Sequence, residues 1–256
     1  MGAGSLAAPN ERDLPPQNVT GGGSGRLIAR RSRTKTEIPL ETESTKEMSD
    51  LIRQACLVAK DAAANAGEFI DKSSKMAFLA VKDCEKELDR IERKIDERLA
   101  SAITEVTEPE ARELLACLKF IIDLERIGDL TWSVTKRLHT LGSKMLPEDT
   151  RDMEAMAKTL EEMMERIYTG FVHRDTAAAS WVMQSDARMD EACKALFSRH
   201  LESSRKRPRE YSTNLLLMAQ AFERAGDHAK NLAEEVFHLV EGRSLRHELQ
   251  RHKQDR

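Results

Sequence analysis

The stretch Phe120-Ile121-Ile122-Asp123-Leu124-Glu125-Arg126-Ile127-Gly128-Asp129-Leu130-Thr131-Trp132 decides how the chain is read. Leu114, Leu118, Ile121, Glu125, Asp129 and Trp132 recur every three or four residues, so on a helix all six share one face. Glu125 and Asp129 therefore stand in an apolar stripe where a purely structural helix would carry leucines. A charge held at such a seam is costly unless something neutralises it. The pentapeptide Glu125-Arg126-Ile127-Gly128-Asp129 returns ninety-eight residues later as Glu223-Arg224-Ala225-Gly226-Asp227, behind Leu216 and Ala219. Two copies in helices of like design make a repeat.

Other features keep nearly the same spacing. Pro109 and Pro208 each stand at the start of a helical pattern, and Glu85/Asp89 are echoed by Asp186/Asp190. An offset that drifts so little across several features indicates an internal duplication. The expected fold class is all-α, two tandem three-helix bundles, over residues 45–143 and 147–243. The first helix runs from Ser44 to about Lys72, and Ser73-Ser74 supplies a break and a new N-cap. A second runs to about Glu105. Thr107-Glu108-Pro109-Glu110 opens the third, with proline in the first turn and acids at the positive end of the dipole. It ends near Gly142. Pro147 opens a fourth helix ending at about Gly170, a fifth runs from about Asp175 to Ser204, and a sixth from Pro208 to about Gly242.

The ends are different in kind. Residues 1–44 are polar and aperiodic and read as a disordered leader, and residues 244–256 as a charged, frayed tail. Gly21-Gly22-Gly23-Ser24-Gly25 lacks the ending of a phosphate loop and reads as linker. The basic cluster Arg26, Arg30, Arg31, Arg33, Lys35 and the basic turn Arg205-Lys206-Arg207-Pro208-Arg209 read as solvated segments.

Composition narrows the function classes. Of 256 residues, 33% are charged and only 4% aromatic, as expected for a soluble helical protein. A net charge of −3 gives no global reason to expect nucleic acid as a partner. Cys56, Cys84, Cys117 and Cys193 are dispersed and read as small apolar residues in a reducing compartment. No apolar run approaches the roughly 20 residues that span a bilayer, and no secretion signal is evident, so the expected location is cytoplasmic.

Acids at i and i+4 lie on one helix face about 6 Å apart along the axis. If two such pairs face each other from neighbouring helices, four carboxylates crowd together, repel, and raise one another's pKa. A bound cation resolves the conflict. All-oxygen ligands are hard and suit Mg²⁺, Ca²⁺, Mn²⁺ or iron. The expected metal ligands are Glu85, Asp89, Glu125 and Asp129 for one site, and Asp186, Asp190, Glu223 and Asp227 for the other. Gly128 and Gly226 would let a neighbouring helix approach. Arg126 and Arg224 are available as local counter-ions, and Glu92 and Asp96 read as a solvated edge. The rival class is a carboxylate-bridged multinuclear metal enzyme, an oxidase or hydrolase. Di-iron bundles of that kind need paired Glu-x-x-His motifs, and Glu235-Val236-Phe237-His238 is the only instance. No Ser-His-Asp or Cys-His set can be placed from the sequence, so the chain is read as a non-enzyme.

The segments Glu125-Arg126-Ile127-Gly128-Asp129 and Glu223-Arg224-Ala225-Gly226-Asp227-His228-Ala229-Lys230-Asn231-Leu232-Ala233-Glu234 resemble the two signatures of the PhoU family, bacterial regulators of phosphate uptake and phosphate signalling. The likeness covers both bundles. It implies multinuclear metal clusters on the doubled acidic motifs, with iron, zinc, manganese or magnesium. It also implies a negative regulator that acts without catalysis, as a homodimer. Its implied partners are the ATPase subunit of the phosphate ABC transporter and a sensor histidine kinase, and any membrane association would come only through them. Departures are Glu85 in place of Asp, Ala225 in place of Ile, and Ser133 and Lys136 where the second half has Asn231 and Glu234.

Overall fold

The computed structural model describes residues 43–104, 106–142, 145–202 and 208–242. They form six helices: α1 (Glu43–Lys72), α2 (Lys75–Ala102), α3 (Glu108–Leu141), α4 (Pro147–His173), α5 (Thr176–Glu202) and α6 (Arg209–Glu241). There is no strand among the described residues. The leader up to residue 42, the basic turn 203–207 and the tail from 243 lie outside them, and so do the readings made on those segments.

Helix ends follow local chemistry. The Ser74 hydroxyl accepts the Ala77 N–H at 3.2 Å and starts α2. At the start of α3 the Glu110 carboxylate reaches back to accept the Thr107 N–H at 2.8 Å, with Pro109 in the first turn. α3 and α6 stop at Gly142 and Gly242, both left-handed, with φ of 59° and 67°. One expected end is displaced. α4 passes through Gly170 to His173, and Arg174 takes the left-handed cap instead. Gly170 lies inside the helix, where a Cβ would meet the Val236 methyls of α6 at 3.3 Å. Its small size is used for helix contact rather than for termination.

Within each repeat the three helices pack on one another, α1–α2–α3 and α4–α5–α6. The repeats also pack together, through α1 with α4 and α3 with α6. The alanines of α1 (Ala55, Ala59, Ala63 and Ala66) are wholly buried and allow close approach; a Cβ at Gly67 would sit 3.5 Å from Ala157 of α4. Lys60 meets Glu165 at 2.8 Å on the same interface. Along the other seam, Asp123 bonds His228 at 2.7 Å and Lys119 reaches Glu235 at 3.1 Å. These pairs run in opposite senses, so α3 and α6 are antiparallel. That register sets Glu125–Asp129 of α3 and Glu223–Asp227 of α6 at about the same height.

Because α3 packs against α1, α2 and α6, its buried face is broader than one stripe. Leu114, Phe120, Ile121, Leu124 and Ile127 are fully buried, and with them Thr131. Glu125 and Asp129 fall at the margin of that face rather than at its centre, with side chains 14% and 43% exposed. Trp132, on the same margin, rests against Phe78 of α2 at 5.1 Å between ring centroids.

Candidate metal centres

The first centre forms where α2 crosses α3. One carboxylate oxygen each from Glu85, Asp89 and Asp129 lie within 4.8 Å of one another. Gly128 permits this closeness, because a Cβ there would fall 2.4 Å from Leu88 Cδ1, in the turn between Glu85 and Asp89. Burial and then the neighbouring charges of Asp89 and Asp129 push the Glu85 carboxyl above its usual range. Glu125 does not join the tight trio. Burial and Asp129 nonetheless push its pKa up to about 7, against the opposing charge of Arg126. Arg126 lies 3.5 Å from both Glu125 and Asp129 as the expected local counter-ion, but it is more than half exposed. One reading changes. Glu92 is half-buried, and burial followed by the charges of Asp96, Asp89 and Asp129 raises its pKa, so it extends the acidic cluster rather than forming a solvated edge.

The second centre, between α5 and α6, is built from the equivalent residues with a different balance. Asp186 is buried, Asp190 and Glu223 are half-buried, and Asp227 is exposed. Burial, then Asp227, Asp190 and Asp186, raise the pKa of Glu223; burial, then Asp186 and Asp190, raise that of Asp227. All four acids therefore act on one another. Lysines share the site: Lys230 Nζ lies 2.5 Å from Asp186 Oδ2, and Lys194 lies 3.7 Å from Asp190. Asp186 Oδ1 is buried and has no hydrogen-bond partner. That orphaned oxygen beside Gly226, where a Cβ would lie 3.8 Å from it, is the fit expected of a cation ligand. Where the first half continues its acidic row with Glu92 and Asp96, the second has Cys193 and Phe197, which line an open groove of about 400 Å³ beside Glu223.

The two glycines differ in tightness, and this is testable. Gly128→Ala forces the wholly buried Leu88 to move, an overpacking cost of about 1–3 kcal/mol that outweighs a helix-propensity gain of about 1 kcal/mol. Gly226→Ala meets the flexible Met189 at 3.3 Å and Asp186 Oδ1 at an ordinary 3.8 Å, and is expected to be neutral or mildly stabilising. Thermal unfolding of both variants checks the ranking, and equal melting temperatures would refute it.

The motifs of the rival enzyme reading have other employment. Glu235 of the lone Glu-x-x-His holds Lys119 across the repeat seam, while His238 lies 3.4 Å from it. A Ser-His-Asp chain, which the sequence did not reveal, does exist. His200 bridges Asp149 at 3.1 Å and Ser212 at 3.1 Å, drawing on α4, α5 and α6. Asp149 is wholly buried and also accepts from Arg199 and Tyr211, each at 2.7 Å. Burial alone would raise its pKa, yet the bonds from Tyr211, His200 and Arg199 carry it below the usual range. An ionised Asp149 accepts only, so Nε2 of His200 carries the proton on that side. The set ties three helix ends together. The cysteines are free; burial pushes the thiols of Cys56 and Cys117 up to about 12.

The sequence model of the PhoU domain matches twice, at residues 46–138 and 153–236. The chain is 30% identical over 209 residues to a phosphate-specific transport system accessory protein PhoU homolog of Burkholderia sp, covering 78% of this chain and 86% of that one. A homolog of the same description from Pseudomonas aeruginosa is 29% identical, over 78% and 84%. The crystal structure of PhoU from Pseudomonas aeruginosa superimposes with a TM-score of 0.64 at 25% identity, covering 78% of this chain and 95% of the other. The phosphate transport system regulatory protein PhoU from Streptococcus pneumoniae shares the fold, with a TM-score of 0.67 at 19% identity over 78% and 97%.

Proposed function

The chain belongs to the PhoU family, and on that premise we propose that it is a metal-binding regulatory adaptor of phosphate uptake. It restrains the phosphate ABC transporter through the ATPase subunit and keeps a companion sensor histidine kinase silent when phosphate is plentiful. It does so in the cytoplasm, as a homodimer and without catalysis. The names of its relatives, accessory proteins of phosphate-specific transport, support the regulatory part of this reading. On this reading any membrane contact comes through those partners; no described helix is long and apolar enough to cross a membrane.

The observation that carries the metal part is the convergence of Glu85, Asp89 and Asp129 from two helices; in the second half the equivalent acids act on one another, but among the described residues only the first set brings three carboxylate oxygens within 4.8 Å. Glu85, Asp89, Glu125 and Asp129 would hold one cluster, and Asp186, Asp190, Glu223 and Asp227 the other. Hard cations such as iron, manganese or magnesium, or zinc, would neutralise the carboxylates and clamp α2 to α3 and α5 to α6. The chain's own residues then present two acidic, metal-bearing surfaces at one level on either side of the α3–α6 seam. The test is elemental analysis of protein purified without chelator. Asp129→Ala and Asp227→Ala are each expected to remove the metal of one site, and the double variant to remove nearly all of it. Unchanged stoichiometry in the folded double variant would leave a metal-free scaffold.

A further inference from the structure

We propose that Lys230 is a tethered counter-cation of the second acidic site, which a divalent cation must displace, so that the second site is the weaker and more exchangeable of the two. This rests on the metal reading above.

Lys230 lies on α6 and reaches across to α5, where its ammonium sits 2.5 Å from Asp186 Oδ2. It also acts on Asp227. The duplication supplies an internal control. Ninety-eight residues earlier the equivalent position is Trp132, whose ring packs on Phe78, so no ammonium can come from that place in the first site. Arg126 approaches the first site only along its own helix and from solvent, at 3.5 Å, while Lys86 and Lys136 act on Glu85 from beyond ion-pair distance. The halves therefore meet the same electrostatic problem differently: one has three carboxylate oxygens within 4.8 Å, the other a built-in cation.

The clasp is incomplete. Lys230 bonds Asp186 and acts on Asp227, Lys194 approaches only Asp190, along its own helix at 3.7 Å, and the burial and repulsion felt by Glu223 and Asp227 persist with both in place. Lys230 satisfies one oxygen of Asp186, while Oδ1, on a residue only 5% exposed, keeps no hydrogen-bond partner. A divalent cation brings twice the charge and can use that free oxygen. Lys230 also has somewhere to go. Its side chain is 38% exposed, and Glu234, one turn further along α6, already attracts it. Exchange of ammonium for metal thus requires only a side-chain swing, with no backbone rearrangement.

A competitor that occupies the site most of the time lowers apparent affinity in proportion to the fraction left open. Chelator-stripped full-length protein is titrated with Mn²⁺, following free Mn²⁺ by electron paramagnetic resonance. The comparison uses the native chain, Lys230→Met and Lys230→Gln, each also with Asp129→Ala to silence the first site. Both Lys230 variants are expected to bind Mn²⁺ at the second site at least about tenfold more tightly. The first-site affinity should not change. Gln keeps a polar head of similar reach, so a folding defect confined to Met does not blur the result, and melting curves report it. Second-site affinity that is unchanged or weaker in both variants overturns the role of Lys230 while leaving the metal reading intact. Failure of every protein, including the native chain, to bind Mn²⁺ overturns both.

Discussion

Asp149→Ala is expected to lower the melting temperature by roughly 10 °C, the largest effect of any single polar substitution on this fold. The carboxylate is 0% exposed and is the common acceptor for Arg199, His200 and Tyr211, which come from α5 and α6. The Tyr211 hydroxyl in turn accepts the Leu146 N–H at 3.0 Å, at the very start of α4. Removing the acceptor takes the carboxylate from the buried His200, whose Nδ1 keeps Ser212, and loosens Arg199, which keeps Asp152 at 2.6 Å. Breaking a buried charged set by deleting one member costs about 3–5 kcal/mol, and each kcal/mol shifts the midpoint by about 2–4 °C in a domain of this size. Asp149→Asn keeps the shape and some bonds, so its loss should be about half as large. Because this carboxyl is held below its ordinary pKa, its contribution is present above that value and disappears as pH falls through the lowered one. Circular-dichroism melts at pH 7 read the difference, and a shift below about 2 °C for the alanine variant would sink the account.

The second large effect is a reversal of pH dependence on metal loading. In metal-free protein the carboxyls of Glu85, Glu92, Glu125, Glu223 and Asp227 are all pushed above their ordinary range by burial and by one another. A raised carboxyl binds its proton more tightly folded than unfolded. Its stabilising contribution is therefore complete below the unfolded pKa and is lost as pH rises through the folded one. For Glu125, moved from 4.5 to about 7, the loss amounts to at most roughly 3 kcal/mol between about pH 4.5 and 7. Chelated protein should accordingly melt several degrees higher at pH 5 than at pH 8. With metal the sign inverts, because cations bind the deprotonated carboxylates and are released when these protonate. Glu125→Gln should flatten the slope of the chelated protein, which assigns that share of the slope to this carboxyl. A chelated protein that becomes more stable from pH 5 to pH 8 would contradict the electrostatic description of both centres.

All six helices could be read from the chain because their signals are local. A hydrophobic period of 3.6, Ser74, the Thr107–Glu110 box, Pro147, Pro208, Gly142 and Gly242 each act within a turn or two. Gly170 misled for the same reason: a glycine near the end of a pattern looks like a cap, and only Val236, from another helix, gives it its real use. The eight acids were legible as pairs because i,i+4 spacing is also local, and the duplication made them stand out. That Glu92 belongs with them, and that Glu125 stands apart from the tight trio, depends on how α2 crosses α3.

What the amino-acid order determined alone was the number of helices, all of their ends but that of α4 to within a few residues, the twofold repeat and the row of acids, since each follows from contacts a few residues apart. Only the tertiary structure decided what neutralises those acids. Lys230 reaches Asp186 across forty-four positions, and Asp149 gathers Arg199, His200 and Tyr211 from two other helices. Partners that far apart leave no periodic trace in the chain, and a charge becomes stabilising or costly only once packing has fixed what lies within a few ångströms of it.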